Sequence, residues 1–394
     1  MSSAHAQWPR GLARRVMLCA WAAVLGAASP AAPAAWYDAF LDPDDGQFDA
    51  SEWLLDRKGF LPVPIVITEP AVGFGGGIAA VFFRDSMRDS AARTGPSGDP
   101  IPPDIFAVAA AATENGTKFG GLGGMASFAD DRWRYRGGVG KMSLNLDFYG
   151  LDGQLGGGQR KIGYNLDGWA SMQQLLYRLG NSNTWITGRW IYLDTKNSLH
   201  TDNVGDAMLP DFAFARRSSG IGPTIEYDSR DNIFTPSRGW TGSIDTTFYD
   251  PDWGSDNRFQ SYRAHAFAYW PFGQSLVLGT RIDGRAARGD VPFYMLPFVD
   301  LRGVPAARLQ DQNTGVAEAE LRWNLTSRWA LIGFVGAGRA WGTHDGFADA
   351  PTAVTKGAGF RYLIARRLGL YVGLDYADSN YDHAVYIQVG NAWR

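Results

Sequence analysis

The stretch VAEAELRWNL, residues 316 to 325, alternates strictly. Glu318, Glu320, Arg322 and Asn324 fall on one side of an extended chain, and Ala317, Ala319, Leu321, Trp323 and Leu325 on the other. A period of two marks a strand, because successive side chains of an extended backbone point to opposite faces. A strand with charge on one face and grease on the other needs a different environment on each side. In a soluble sandwich the charged face meets water and the apolar face a core. In a transmembrane barrel the apolar face meets acyl chains and the charged face lines the lumen.

Similar segments recur near 73–84, 104–113, 117–128, 132–148, 160–178, 184–195, 216–229, 239–250, 258–270, 275–288, 328–341, 354–364, 368–377 and 383–393. With 315–325 these make fifteen strands, and a closed antiparallel single-chain barrel ordinarily has an even number. The sixteenth is Leu61–Thr68, LPVPIVIT, where two prolines argue against a central strand. Counted from the C-terminus, short turns at 271–274, 325–328 and 365–367 interleave with longer polar loops at 289–314 and 342–353. Counted from the N-terminus this alternation breaks, which predicts a misplaced or missing early strand.

Three features favour the membrane over a soluble sandwich. First, Arg10, Arg14 and Arg15 precede a short apolar core at 16–28 and the small-residue pattern Ala32-Pro33-Ala34, so residues 1–35 read as an export signal. Second, the connections counted from the C-terminus alternate between a short rim and a long one, as outer-membrane barrels show. The mean hydropathy of −0.21 and the lack of a later apolar run near the roughly 20 residues of a membrane helix fit both folds. Third, aromatics crowd the strand ends, with Trp133, Tyr135, Trp185, Trp240, Tyr269, Trp270, Trp329, Trp341 and Trp393 read as an interfacial girdle. The expected fold is all-β, a transmembrane antiparallel barrel of sixteen strands in the bacterial outer membrane.

Composition also excludes. The only cysteine, Cys19, lies in the signal, so the mature chain carries no disulfide, zinc thiolate or cysteine nucleophile. Removing three arginines from 37 basic residues leaves 34 against 40 acidic ones, a balance that does not point to nucleic acid. The five histidines show no metal-ligand spacing, and no metal or cofactor is expected. Residues 36–60 read as a short periplasmic lead-in with one helix near 50–58, started by Asp49 and Glu52 as a capping box, and residues 61–394 as the barrel. DPDDGQFDASE faintly resembles a calcium loop, but Leu41 and Pro43 would occupy ligand positions that need side-chain oxygens. The glycines of GFGGG (73–77) are strand glycines rather than a dinucleotide fingerprint.

EYDSRDNIFTPSRGW (226–240), LRGVPAARLQ (301–310), AEAELRWNL (317–325) and GFVGAGRAW (333–341), in this order, resemble the barrel of the BamA/TamA superfamily, the bacterial surface antigen type of sixteen-stranded outer-membrane barrel. The resemblance covers the chain from about residue 60. It implies a long extracellular loop folded into the lumen, whose arginine pairs with an acidic residue on the inner wall. Arg302 matches that arginine, Gly303 the turn residue beside it, and Glu320 the partner. The family tends to have an aspartate in the following strand where this chain has Gly336, which makes Glu318 the natural substitute. Arg302→Glu is then expected to destabilise the barrel, and an added Glu320→Arg to restore folding in part. Asp228, Arg230, Asp231, Pro236, Arg238 and Gly239 form a second family-like stretch, read as a structural turn motif.

What the resemblance implies for function is outer-membrane protein or lipid assembly or transport by a short form without POTRA domains, which puts client handover by its own domains in doubt. The expected partners are outer-membrane lipids and a protein or lipid cargo; oligomeric state is not legible. Pro62, Pro64 and the glycines at 73–77 are expected to weaken the seam between first and last strands. Two alternatives stand beside this reading. One is a porin-like passive channel. The other is a lipid-modifying enzyme using Ser198 and His200 in a loop, although no G-x-S-x-G supports it and the chain is read as non-enzymatic.

Overall fold

The computed structural model describes residues 40–148, 162–200, 212–343 and 345–393; the signal assignment at 1–35 lies outside them. Four strands open the sheet: β1 (Gly59–Ile67), β2 (Gly75–Phe83), β3 (Ile105–Thr113) and β4 (Lys118–Phe128). Four longer ones follow: β5 (Trp133–Phe148), β6 (Ile162–Arg178), β7 (Thr184–His200) and β8 (Phe212–Asp228). The second half comprises β9 (Gly239–Tyr249), β10 (Phe259–Phe272), β11 (Leu276–Gly289) and β12 (Asn313–Asn324), then β13 (Trp329–Trp341), β14 (Thr352–Ala365), β15 (Leu370–Ser379) and β16 (His383–Val389). Each strand pairs antiparallel with the next in one sheet of sixteen, the order of a nearly closed barrel. Among the described residues no ladder joins β16 to β1.

The two faces of this sheet answer the question raised by residues 316–325. Ile282 and Val335 are 61% and 59% exposed, and Leu321, Trp323 and Val354 are also exposed, whereas Glu318, Arg361 and Asp375 are buried on the other face. Apolar side chains outside and charges inside invert a soluble fold and suit a cylinder immersed in acyl chains. The sheet is a barrel of the membrane-spanning kind.

LPVPIVIT is β1, an edge strand with an unbroken register to β2 from Gly59↔Phe83 to Ile67↔Gly75. Pro62 and Pro64 are two apart, so their missing amides fall on one edge of the strand, and the intact ladder leaves that as the free one. The glycines at 75–77 do not border the seam, as the sequence reading had them; they sit in β2, between β1 and β3. There they allow close approach, since a Cβ on Gly77 would run into the backbone of Ala110.

Counting β1 does not restore the alternation of connections, and among the described residues there is no further strand in the sheet. The break comes chiefly from residues 84–104, a long β2–β3 connection on the rim that carries most of the short turns, and from the short 114–117 turn on the other rim. It contains helix α2 (Met87–Ala91), capped by Ser86, whose hydroxyl accepts the Asp89 N–H at 3.0 Å. The lead-in meets it on this rim. Its helix α1 (Ser51–Leu55) is shorter than expected and has Ala50 at the N-cap. Asp49 makes no capping box; its carboxylate accepts the Ser51 N–H at 2.6 Å and binds Arg328.

Most of the aromatics assigned to the girdle are exposed, including Trp133, Tyr135, Trp240, Trp270 and Trp329. Trp185, Tyr269 and Trp393 are not, and the girdle assignment is corrected for them. Trp185 is 5% exposed and packs against Arg134 and Arg178, their guanidinium carbons 4.4 and 4.2 Å from its ring centre. Trp393 lies beyond β16 and packs on the inner face against Phe267, Tyr269 and Val277.

Candidate functional site: a guanidinium clamp on the inner face

The 290–312 connection between β11 and β12 turns back on itself, with Val299 N–H donating to the Leu309 carbonyl at 2.9 Å. Val299, Leu301 and Val304 bury their side chains against Val316 of β12, Ala340 of β13 and Ala353 of β14. The apolar residues of the loop therefore dock on the inner wall, and the polar residues between them must find partners there.

Arg302 is 9% exposed and faces three carboxylates. Its Nε donates to Glu318 at 2.8 Å, and its Nη1 to Glu320 at 2.7 Å and to Asp375 of β15 at 3.0 Å; Nη2 also binds Glu318. The guanidinium carbon sits 3.5 Å from the Phe334 ring centre, so the planar cation is stacked as well as hydrogen-bonded. The backbone is held too. Thr355 Oγ1 donates to the Arg302 carbonyl at 2.6 Å, Tyr386 Oη of β16 accepts the Gly303 N–H at 2.8 Å, and Ser379 Oγ donates to the Gly303 carbonyl at 2.7 Å. Gly303 adopts φ +81°, a conformation that costs a side-chain-bearing residue. The Ala306 N–H reaches Glu69, in the β1–β2 turn, at 3.2 Å.

Sequence reasoning brought Arg302 to Glu318 and Glu320 but missed Asp375, Arg361 and Asp300. Asp375 takes the place left open by Gly336, and Arg361 of β14 holds it with bonds of 2.6 and 2.8 Å. Asp300, two residues before Arg302, pairs with Arg281 and Arg285 of β11, both at 3.0 Å. The loop thus offers an acid and a base on either side of Leu301, and the wall answers each with the opposite charge. Gly336 has its own role: a Cβ there would lie 3.0 Å from Leu301 and 3.1 Å from both Glu318 and Thr355. Gly336→Asp is expected to lift the loop off the wall and lower barrel stability by about 1–3 kcal/mol, the usual cost of overpacking. A gel shift assay of heat-modifiability would check it, and an unchanged transition temperature would contradict the packing argument.

The second predicted stretch also folds inward. Asp228 binds Arg230 with two bonds, 2.9 and 2.7 Å, and Asp231 accepts the N–H groups of Ser237 and Arg238 at 2.9 and 3.2 Å. Gly239 closes the turn at φ +88°. Ser237 Oγ contacts Arg322 of β12 at 2.6 Å, and Asn232 donates to the Leu368 carbonyl at 2.8 Å, while Pro236 is buried. The motif spans to the opposite wall at the short-turn rim. Ser198 and His200, expected in a loop, belong to strand β7. Among the described residues no group of His, Cys, Asp and Glu is arranged to hold a metal.

Residues 192–374 match the Omp85 superfamily domain. The match covers a little under half of the chain, an outer-membrane β-barrel carrying that domain. Solved structures agree on the Omp85 fold. BamA from Haemophilus ducreyi lacking POTRA domains 1–3 matches at 12% identity with TM-score 0.56, covering 85% of this chain and 70% of that one. CdiB from Acinetobacter baumannii matches at 10% identity and TM-score 0.52, covering 84% and 59%. CdiB from Escherichia coli matches at 13% and 0.55, covering 83% and 61%. The chain therefore spans about three-fifths of the length of each CdiB structure. No curated protein matches the sequence. Omp85 barrels are generally non-enzymatic transporters and insertases.

Proposed function

We propose that this Omp85 barrel is a plugged outer-membrane barrel that inserts or transports protein or lipid cargo, rather than a passive pore. The observation that carries the reading is the attachment of the 290–312 loop to the inner wall through Arg302 and Asp300, with the loop tip reaching from β12 to β16. A segment fixed by the buried pairs of Arg302 stays in place on the timescale of solute passage, because releasing it leaves charges without partners. The short-turn rim, which carries the lead-in, faces the periplasm, and the 290–312 loop enters from outside.

Planar-bilayer recording tests the plug. The wild-type barrel is expected to give low, intermittent conductance, and a variant lacking residues 297–309 a large and steady one. Large steady currents from the wild type would favour the porin-like alternative and defeat the plugged reading.

A further inference from the structure

Among the described residues no ladder joins β1 to β16, yet the two ends of the sheet are connected on the short-turn rim by residues outside it. We propose that residues 42–56 form a strap across the unpaired seam, with a fixed anchor on one side and a salt-releasable latch on the other.

The anchor lies on the turns between β12 and β13 and between β14 and β15. The Arg328 side chain is fully buried there, and it donates to Asp45 at 2.6 Å, Asp49 at 2.6 Å and Asp42 at 2.5 Å. Backbone bonds reinforce it. The Ala50 N–H meets the Ile364 carbonyl at 2.7 Å, the Arg366 N–H meets Asp49 at 3.0 Å, and the Arg367 N–H meets Ser51 Oγ at 3.0 Å. The Tyr362 hydroxyl donates to the Phe48 carbonyl at 2.8 Å.

The latch lies on the other side of the seam. Arg88, in α2 of the β2–β3 connection, donates to Asp56 at 2.5 Å and to Glu52 at 2.6 Å. Glu52 is also 2.7 Å from Arg367. One carboxylate thus accepts a guanidinium from each end of the sheet, joining connections whose strands share no ladder.

The two sides differ in exposure. Arg328 is shielded from water, whereas the Arg88, Glu52 and Asp56 side chains are 44%, 52% and 61% exposed. Exposed ion pairs are weak and screened by salt; buried, multiply bonded ones are neither. The strap accordingly loosens at the Arg88 end, where only residues 57 and 58 separate Asp56 from β1, while remaining fixed at Arg328.

The test is a distance measurement independent of cargo or transport activity. Spin labels at Val63→Cys in β1 and Val385→Cys in β16, two exposed positions, report the seam in lipid nanodiscs, with Cys19 replaced by alanine. Ionic strength is raised from about 10 mM to about 1 M, which shortens the screening length from roughly 30 Å to roughly 3 Å. The wild type is expected to give a narrow distance distribution at low salt. Arg88→Gln should broaden it and lengthen the mean by about 5 Å or more, one strand spacing. High salt should reproduce that change in the wild type and add little to the variant, and Arg88→Lys should recover part of the narrow distribution. Heat-modifiability of every variant should match the wild type, which separates a lost latch from a misfolded barrel. Identical low-salt distributions for the wild type and Arg88→Gln would overturn the proposal, as would a wild-type seam indifferent to salt.

Discussion

Arg302→Ala is expected to lower barrel stability by about 3–5 kcal/mol, the range for breaking a buried charge pair from one side. Three carboxylates lose a shared cation, and their remaining compensation is uneven. Asp375 keeps Arg361 at 2.6 Å, and Glu318 keeps Arg281 at 3.6 Å, whereas among the described residues Glu320 forms its salt bridge with Arg302 itself. Glu320 should therefore be the residue that destabilises the variant, and Arg302→Ala with Glu320→Gln should recover much of the loss. Arg302→Lys should fall between, because a single ammonium retains the charge but cannot reproduce a planar fork serving three acids over an aromatic ring. The charge reversal suggested by the family motif should work less well than a simple pair would imply. With Arg302→Glu and Glu320→Arg together, Glu318 and Asp375 still confront a negative residue 302. Heat-modifiability across a temperature series measures all four variants, and an Arg302→Ala barrel with wild-type behaviour would remove the clamp from the account.

The contrast between Glu320 and Asp375 shows how far the sequence can be read. Glu318 and Glu320 stand in a clean period-two segment, so their face follows from their neighbours alone. Asp375 lies in LYVGLDYADS, where Leu370, Val372, Leu374 and Tyr376 share one face and Asp375 takes the other, so its inward direction is equally legible. Its meeting with Arg302 depends instead on the register carried through β13 and β14, which local pattern does not contain. Gly336 misled for a related reason. A glycine in place of an acid reads as a lost partner, but here its missing side chain makes room for Leu301.

The girdle shows the opposite error, where usable local information was passed over. Position at a strand end does not decide which face a side chain takes. Trp185 shares parity with Thr187 and Arg189, both on the inner face, and so points inward with them. Trp393 follows the last strand, where alternation has ended, and its burial rests on tertiary packing over Gly279. The lead-in was opaque for another reason. Asp42, Asp45 and Asp49 look like turn and cap chemistry because their partner, Arg328, lies nearly the whole chain away.

Arg328→Ala is expected to detach the lead-in from its rim at a cost of about 3 kcal/mol, the lower end for a buried pair because Asp45 stays close to solvent. Arg366, 3.3 Å from Asp42 and 3.1 Å from Asp44, is the remaining cation and is itself partly exposed. Hydrogen exchange should rise sharply across residues 42–56 while the strand amides of β5 to β8 keep their protection. Acid supplies a second readout with a definite sign. The hydrogen bond from Arg328 holds Asp45 below the ordinary carboxylate value of 3.8. Burial pushes Asp49 upward, but the bonds from Ser51 and Arg328 outweigh it and leave it lowered as well. A lowered folded-state pKa stabilises above the ordinary value and loses that contribution as the pH falls through the lower one. The wild-type strap should therefore hold from neutrality down to about pH 4 and loosen only below it. In Arg328→Ala the sign reverses, since three crowded carboxylates are relieved by protonation, and mild acid should slow exchange in the same segment. Parallel acid responses in the two proteins would show that the carboxylates are not gathered around Arg328.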